Sequence, residues 1–592
     1  MSGAVAVRGS QAALALAIAA FSTVAGARDS ARVRTLSTII HAPAATREAL
    51  LTARPVIARH AMVVSAQHLA TLVGVDLLKR GGNAIDAAVA VGYAEAVVHP
   101  CCGNIGGGGF MTIHLRNGRN LFLNFRERAP LNATASMFQD ADGHVVPSRS
   151  TDSYLGVGVP GTVMGLNTAL AKYGTMPLKE VMAPAIKLAR DGYLLRPGDV
   201  DILNDSVGDF ARHSNVAAIF LNRGKPYRVG QRLVQRQLAR TLERIAAGGT
   251  DEFYRGRIAR ALVKASRANG GILSMADFAD YTVQWEKPVQ CSYRGYTIVS
   301  APPPSSGGTT LCEILQIIRP YPFAEWGYGS VDAVHYLAEA ERRAFADRNT
   351  YLGDPAFVHN PIDELLSPAH AEKLRSTILP DKATASSAIR GDLGAREGNH
   401  TTHYSVADSY GNVVAVTYTL NFLFGIRQIA GDTGFFLNDE MDDFTSKPGV
   451  ANAAGLVQGE VNRIEPGKRP LSSMTPTIVM RGSEPFLLTG SPGDASIIST
   501  TLQSILNVVD YGMNVQQAVN APRMHQQWYP QEVWIEAGML SSESLRKLEK
   551  MGYQFTTVHA MGADEAILIN PKTGMLEGAN DRRRPAGLAA GY

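Results

Sequence analysis

Apolar positions recur every three to four residues in residues 66–80, where Leu69, Val73 and Leu77 fall on one helical face. The stretch ends in Lys79-Arg80-Gly81-Gly82, cations followed by glycine, which is the chemistry of a helix C-terminus. A second helix opens at Asn83, places Asp86 three residues later as in a capping box, runs through Ala87, Ala88, Val91 and Ala94, and stops at Pro100. The period then shortens to two. Gly106 to Gly109 lead into the alternating run Phe110-Met111-Thr112-Ile113-His114-Leu115, and Asn117-Gly118 turns the chain into a second strand over 121–125. Helical periodicity returns over 161–192, 231–268 and 331–348, separated by Gly- and Pro-rich loops such as 301–308. Strands reappear at 478–480, 486–489 and 566–569. Residues 28–55 carry little pattern and read as a polar leader. No fixed-period repeat is present, which argues against a solenoid.

The most informative pattern lies in residues 401–421, where two β-rich runs flank a turn near Tyr410. With the turn centred there, facing residues have numbers that sum to 820. Thr401 then lies opposite Thr419, and His403 opposite Thr417. Two hydroxyls meet at the open end of a hairpin, where Asn421 also emerges. A threonine pair in a sheet is common without any chemistry, so periodicity alone does not assign it a catalytic task.

Bulk properties narrow the function classes. The 592 residues are 45% hydrophobic and 19% charged, a globular composition with ample material for a core. The 57 basic and 53 acidic residues nearly cancel, and no basic run is interleaved with aromatics, so nucleic-acid binding is disfavoured. Residues 1–11 hold Arg8 and no acid, residues 12–20 are continuously apolar, and Ala25-Gly26-Ala27 supplies small residues, so residues 1–27 read as a removable signal peptide. No later stretch reaches the roughly 18 uninterrupted apolar residues of a membrane span. The four cysteines, Cys101, Cys102, Cys291 and Cys312, lack the CxxC spacing of structural zinc, and the 14 histidines contain no HExxH pair.

Resemblance adds what periodicity cannot. The string Thr401-Thr402-His403-Tyr404-Ser405-Val406, with Thr417, Thr419, Asn421 and Met441-Asp442-Asp443-Phe444, resembles the start of the small subunit of γ-glutamyltranspeptidases, which are N-terminal nucleophile hydrolases. The similarity extends to His99-Pro100, to Gly103-Asn104-Ile105 with the four glycines after it, and to Asn124-Phe125-Arg126-Glu127. It continues in Pro303-Pro304-Ser305-Ser306-Gly307-Gly308, in residues 468–477 and in the closing Ala590-Gly591-Tyr592. The resemblance implies an α+β fold of four αββα layers and self-cleavage between His400 and Thr401. A large piece of residues 28–400 and a small catalytic piece of residues 401–592 would share one core as a heterodimer. The freed α-amine of Thr401 would serve as the base that activates its hydroxyl, a poor nucleophile otherwise. Thr419 would orient that hydroxyl.

The same resemblance assigns the substrate groups. Arg126, helped by Ser472 and Ser473, would hold the α-carboxylate of a γ-glutamyl donor such as glutathione, and Asn421, Glu440 and Asp443 its ammonium. Backbone amides of Gly493 and Asp494 would stabilise the oxyanion, where the family usually has two glycines. A side chain at 494 restricts the backbone and sets a negative charge near a developing anion. Residues 447–469 resemble the lid over the donor pocket, with Ala454 in place of its aromatic gate; a more open pocket and a bias towards hydrolysis follow. Acceptors would be water, amino acids or peptides, no cofactor or metal is called for, and the signal peptide places the enzyme in the periplasm or outside the cell. Cephalosporin or glutaryl acylases of the same fold, and a non-catalytic relative, are the alternatives. A phosphate-binding module is disfavoured because no glycine loop carries a GxxxxGK[ST] pattern.

Overall fold

The computed structural model describes residues 38–389, 401–453 and 455–592. The expected signal peptide, His400 and Ala454 lie outside the described residues.

The core is built on two seven-stranded sheets. Across the first run Leu588–Gly591, Met62–Ser65, Thr401–Ala407, Val413–Thr419, Gly108–His114, Asn120–Phe125 and Gln284–Glu286. Across the second run Val56–Ala58, Leu576–Asn580, Glu565–Ile569, Glu484–Thr489, Thr477–Arg481, Tyr296–Ser300 and Val289–Tyr293. Neighbours pair antiparallel throughout both sheets. Because side chains alternate faces along a strand, each sheet offers an inner row to the other. Met62, Val64, Ala407, Val413 and Ala415 from the first meet Val299, Ile478, Met480, Leu488 and Ile567 from the second in one apolar layer.

Helices cover both outer faces. Residues of His68–Lys79, Ala84–Val98, Thr162–Tyr173, Leu178–Asp191 and Arg236–Tyr254 join the apolar cluster over the first sheet. Gly307–Ile318, Val331–Tyr351, Ser496–Val509 and Val515–Asn520 do the same over the second. This is the expected αββα sandwich, and each sheet draws strands from both sides of residue 400.

Local chemistry accounts for the elements seen in sequence. Asp86 N donates to Asn83 Oδ1 at 3.0 Å and Asn83 N donates to Asp86 Oδ2 at 2.8 Å, a reciprocal capping box. The central hairpin is turned by Asp408, whose Oδ1 accepts from the amides of Tyr410 at 2.8 Å and Asn412 at 2.9 Å, while Gly411 takes φ +93°. That turn fixes the register at Thr401 against Thr419 and His403 against Thr417, as the sum rule expects. The glycine run is needed for close approach. A Cβ on Gly107 would sit 1.8 Å from the Thr419 carbonyl oxygen, and one on Gly109 2.4 Å from that of Thr417.

One expectation needs correcting. Residues 28–55 are not all patternless leader, since Ala44–Thr52 is helical and Leu50 is buried. Its amphipathic signal is weak because much of its docking is by backbone: Gln517 Nε2 donates to the Leu50 carbonyl at 3.0 Å and Asn514 Nδ2 to that of Ala53 at 3.2 Å. The cysteines pair as Cys101–Cys102 and Cys291–Cys312. Among the described residues, no helix is long and apolar enough to cross a membrane.

Candidate active site

Thr401, His403 and Ser405 share the face of their strand that looks towards the second sheet, where Ser405 Oγ donates to the Glu565 carbonyl at 2.8 Å. Thr401 Oγ1 lies 3.1 Å from Thr419 Oγ1. The Thr419 hydroxyl also accepts from the Asn421 amide at 2.8 Å, so its own proton is available to Thr401. Asn421 sits at φ +75°, a left-handed conformation that asparagine tolerates, and its Nδ2 donates to the Asp439 carbonyl at 3.1 Å. His403, by contrast, is a satisfied core histidine. Its ring contacts Thr417 Oγ1 at 2.8 Å and Ser405 Oγ at 3.1 Å, and burial holds it neutral with a pKa pushed down to about 3.

Beside the threonine pair is a pocket enclosing about 340 Å³. Arg126, Thr401, Thr419, Asn421, Glu440, Asp443, Ser472, Ser473 and Asp494 all line it. These residues come from five stretches of sequence, and the fold brings them to one cavity. Gly493, one residue before Asp494, is not part of the wall. Leu456, Leu471, Met474 and Ile497 form its apolar part.

Arg126 is fully buried at the end of the Asn120–Phe125 strand. Its guanidinium donates to Glu440 and to Asp443, reaches the Pro470 carbonyl at 3.2 Å, and faces Glu127 at 3.6 Å. Burial works against the Arg126 cation, but Glu440, Asp443 and Glu127 outweigh it and raise its pKa. The acids pay the complementary penalty: burial pushes Glu127 up to about 7 and Glu440 well above the ordinary carboxylate range, with Arg126 opposing both shifts. Glu440 Oε2 is buried with no hydrogen-bond partner among the described residues. One arginine therefore faces more carboxylate than it can neutralise. The residues expected to form a carboxylate grip and an ammonium nest are in direct contact here, with Arg126 paired to Glu440 and Asp443.

The two serines are set by the segment after Arg469. Ser472 N donates to the Pro304 carbonyl at 2.8 Å, and Ser306 N and Oγ return to the Ser472 carbonyl at 2.8 and 2.7 Å, so residues 470–474 lie clamped against the Pro-rich loop. Arg348, on the Val331–Tyr351 helix, donates to Ser473 Oγ at 2.9 Å and Ser306 Oγ at 2.8 Å and itself lines the pocket. Neither pattern nor resemblance assigns a role to Arg348, and Glu127 appears in sequence only as a motif neighbour of Arg126. The available signal for Arg348 is that its helix buries Glu339, Glu341, Arg342, Arg343 and Arg348 together, a pattern of internal ion pairs rather than of a solvated face.

The turn expected to serve the oxyanion has Gly493 at φ +129° and Asp494 at φ +45° before the Ser496–Val509 helix. The departure from glycine thus falls at a left-handed position. Ile497 N donates to the Asp494 carbonyl at 3.1 Å as the helix begins.

Comparison with known proteins agrees with this geometry. The family model described as Gamma-glutamyltranspeptidase matches residues 70–591. A glutathione hydrolase proenzyme of Pseudomonas sp. (strain A14) is 53% identical over 547 residues, covering 91% of this chain and 95% of the relative. One from Escherichia coli (strain K12) is 49% identical over 540 residues, covering 91% and 93%. Among solved structures, a cephalosporin acylase from Bacillus halodurans superposes with a TM-score of 0.80 at 28% identity over 91% of this chain and 97% of the other. The chain belongs to the γ-glutamyltranspeptidase family.

Proposed function

We propose that this enzyme cleaves γ-glutamyl amides, glutathione among them, through Thr401 once cleavage after His400 has freed its α-amine. The amine takes the hydroxyl proton as Oγ1 bonds to the γ-carbonyl carbon, and returns it to the departing nitrogen as the C–N bond breaks. A γ-glutamyl ester on Thr401 remains. Water or the amine of an amino acid or peptide then attacks it, giving glutamate or a new γ-glutamyl amide. Thr401 and its amine handle every proton in this sequence, so the step calls for no cofactor.

The observation that carries a glutamyl head over the acylase reading is the surplus of acid around Arg126. Among the described residues, Glu440 Oε2 has no donor inside a pocket that also holds Asp443 and Asn421. An α-ammonium would supply the missing charge and protons, while Arg126, Ser472 and Ser473 would take the α-carboxylate. A glutaryl side chain brings no cation. The test compares a γ-glutamyl anilide with the glutaryl anilide that lacks only the amino group. A kcat/KM about 10- to 150-fold higher for the glutamyl compound is expected from the loss of a charge-assisted contact of about 1.5–3 kcal/mol; equal values would assign the acylase reading.

Residues 1–27 would direct export to the periplasm or beyond, and residues 28–400 and 401–592 would persist as a heterodimer. A denaturing gel with N-terminal sequencing checks this: the smaller band should start at Thr401 with 592 − 400 = 192 residues. With Ala454 where the family's lid carries an aromatic gate, hydrolysis should outweigh transfer at modest dipeptide concentration, and dominant transfer would refute it.

A further inference from the structure

Away from the active site, three side chains converge between helices of the outer layer on the second sheet. Glu313 lies on Gly307–Ile318, Asp347 on Val331–Tyr351 and His370 on Pro368–Arg375. One ligand atom from each falls within 4.8 Å of the other two. His370 Nε2 is 2.7 Å from Asp347 Oδ2 and 3.6 Å from Glu313 Oε1. In sequence they stand 34 and 23 residues apart, so no motif announces them.

The hydrogen-bond count there does not close. Glu313 is buried, and its Oε1, aimed into the cluster, has no hydrogen-bond partner among the described residues. Protonated His370 offers one N–H at Nε2, and the 2.7 Å contact commits it to Asp347. At 3.6 Å Glu313 is too far to share it. The spacing that fails as a hydrogen bond suits two ligands of one ion. Metal–nitrogen and metal–oxygen bonds of about 2.0–2.2 Å in a tetrahedron set donor atoms roughly 3.4 Å apart. The 3.6 Å pair is already there, and the 2.7 Å pair needs to open by well under 1 Å.

From this geometry we propose a structural divalent-metal site of the zinc class at Glu313, Asp347 and His370, with water completing the coordination. An imidazole with two carboxylates favours Zn²⁺ over the oxygen-preferring Mg²⁺. The ion would join three helices that are already linked nearby by Arg375, which donates to the Gln316 carbonyl at 2.8 Å, and by Arg343, which donates to the Leu374 carbonyl at 3.2 Å. His370 and Asp347 side chains keep 12% and 18% exposure, which leaves an entry path from solvent. Asp347 immediately precedes Arg348, the residue that holds Ser473 and Ser306, so the ion would brace the helix that supports the pocket wall.

The test uses the full-length purified protein, dialysed against Zn²⁺, then against metal-free buffer, with zinc counted by mass spectrometry and Tm followed in parallel. About one Zn²⁺ per chain is expected in the wild type, with at least a fivefold loss in His370→Ala and in the near-isosteric Glu313→Gln. Zn²⁺ should raise the Tm of the wild type and not of these variants, while Mg²⁺ should raise neither. His144→Ala, which removes the exposed Asp140, Asp142 and His144 group, should load as the wild type does. Wild-type protein that retains no zinc, or loading unchanged in Glu313→Gln, overturns the assignment, as does loss of zinc in His144→Ala.

Discussion

Replacing Thr419 by valine removes one hydroxyl and almost no volume, which makes it the sharpest probe of Thr401 as the proposed nucleophile. In the folded chain this hydroxyl accepts from the Asn421 amide at 2.8 Å and meets Thr401 Oγ1 at 3.1 Å. Valine leaves the amide of Asn421, which is 3% exposed, without an acceptor, at a cost of about 1–3 kcal/mol in stability. It also frees Thr401 Oγ1 to rotate away from its attack position. Losing one neutral hydrogen bond that fixes the nucleophile, about 1–2 kcal/mol, corresponds to roughly a 5- to 30-fold fall in kcat/KM. Thr419→Ser keeps the oxygen and should recover most of the loss. The assay is turnover of a γ-glutamyl anilide, normalised to the cut fraction on a denaturing gel, with Tm measured alongside. A fully cleaved Thr419→Val enzyme within twofold of wild-type kcat/KM would refute the orienting role, and so would a serine variant as impaired as the valine one.

Further perturbations probe the rest of the pocket and core. Asp494→Gly relieves a left-handed non-glycine residue, worth about 1 kcal/mol, and removes a carboxyl beside the oxyanion position; turnover should rise severalfold, and an unchanged or lower rate contradicts this. Asp443→Asn takes one charge from the acid group around Arg126 and should raise KM for γ-glutamyl donors by about 10- to 100-fold while leaving the glutaryl analogue unaffected; equal effects on both would remove Asp443 from ammonium binding. Glu95, on the Ala84–Val98 helix behind the nucleophile strand, has its carboxyl pushed up to about 8 by burial, with the Ser65 and Thr402 contacts opposing. Because the folded value lies above the unfolded one, its contribution is complete below about pH 4.5 and is lost as pH rises through about 8. Glu95→Gln should therefore gain stability relative to wild type between pH 5 and 8.5, by about 3–5 kcal/mol at the upper end, and parallel unfolding profiles would exclude that titration.

The parts legible in sequence were those whose cause is local. The register of Thr401 against Thr419 follows from a turn that Asp408 and Gly411 close within five residues, so counting outward from Tyr410 is enough. The Asn83–Asp86 capping box is likewise written in four residues. Arg126, Asn421, Glu440, Asp443, Ser472 and Ser473 entered through resemblance, and no spacing rule joins them: Arg126 and Glu440 are 314 positions apart. What escaped is held by distant groups. Arg348 reads as one more charge on a mixed helix until Ser306 and Ser473 are seen beside it. Cys291 and Cys312 bridge a strand and the helix after the Pro-rich loop, a pairing fixed only by the way those elements pack. The Ala44–Thr52 helix was missed because side-chain amides from residues 514 and 517 anchor it, which leaves little trace in its own composition.

The strand order of the first sheet bears on what the proposed cleavage after His400 would do to the fold. Thr401–Ala407 is hydrogen-bonded on one side to Val413–Thr419 and on the other to Met62–Ser65, which in turn pairs with Leu588–Gly591. If the chain is cut after His400 as proposed, the two pieces would be woven like the fingers of clasped hands, with no single seam among the described residues along which they could part. Dilution that would dissociate subunits meeting at a surface should leave this pair intact, and releasing either piece should require unravelling the whole body.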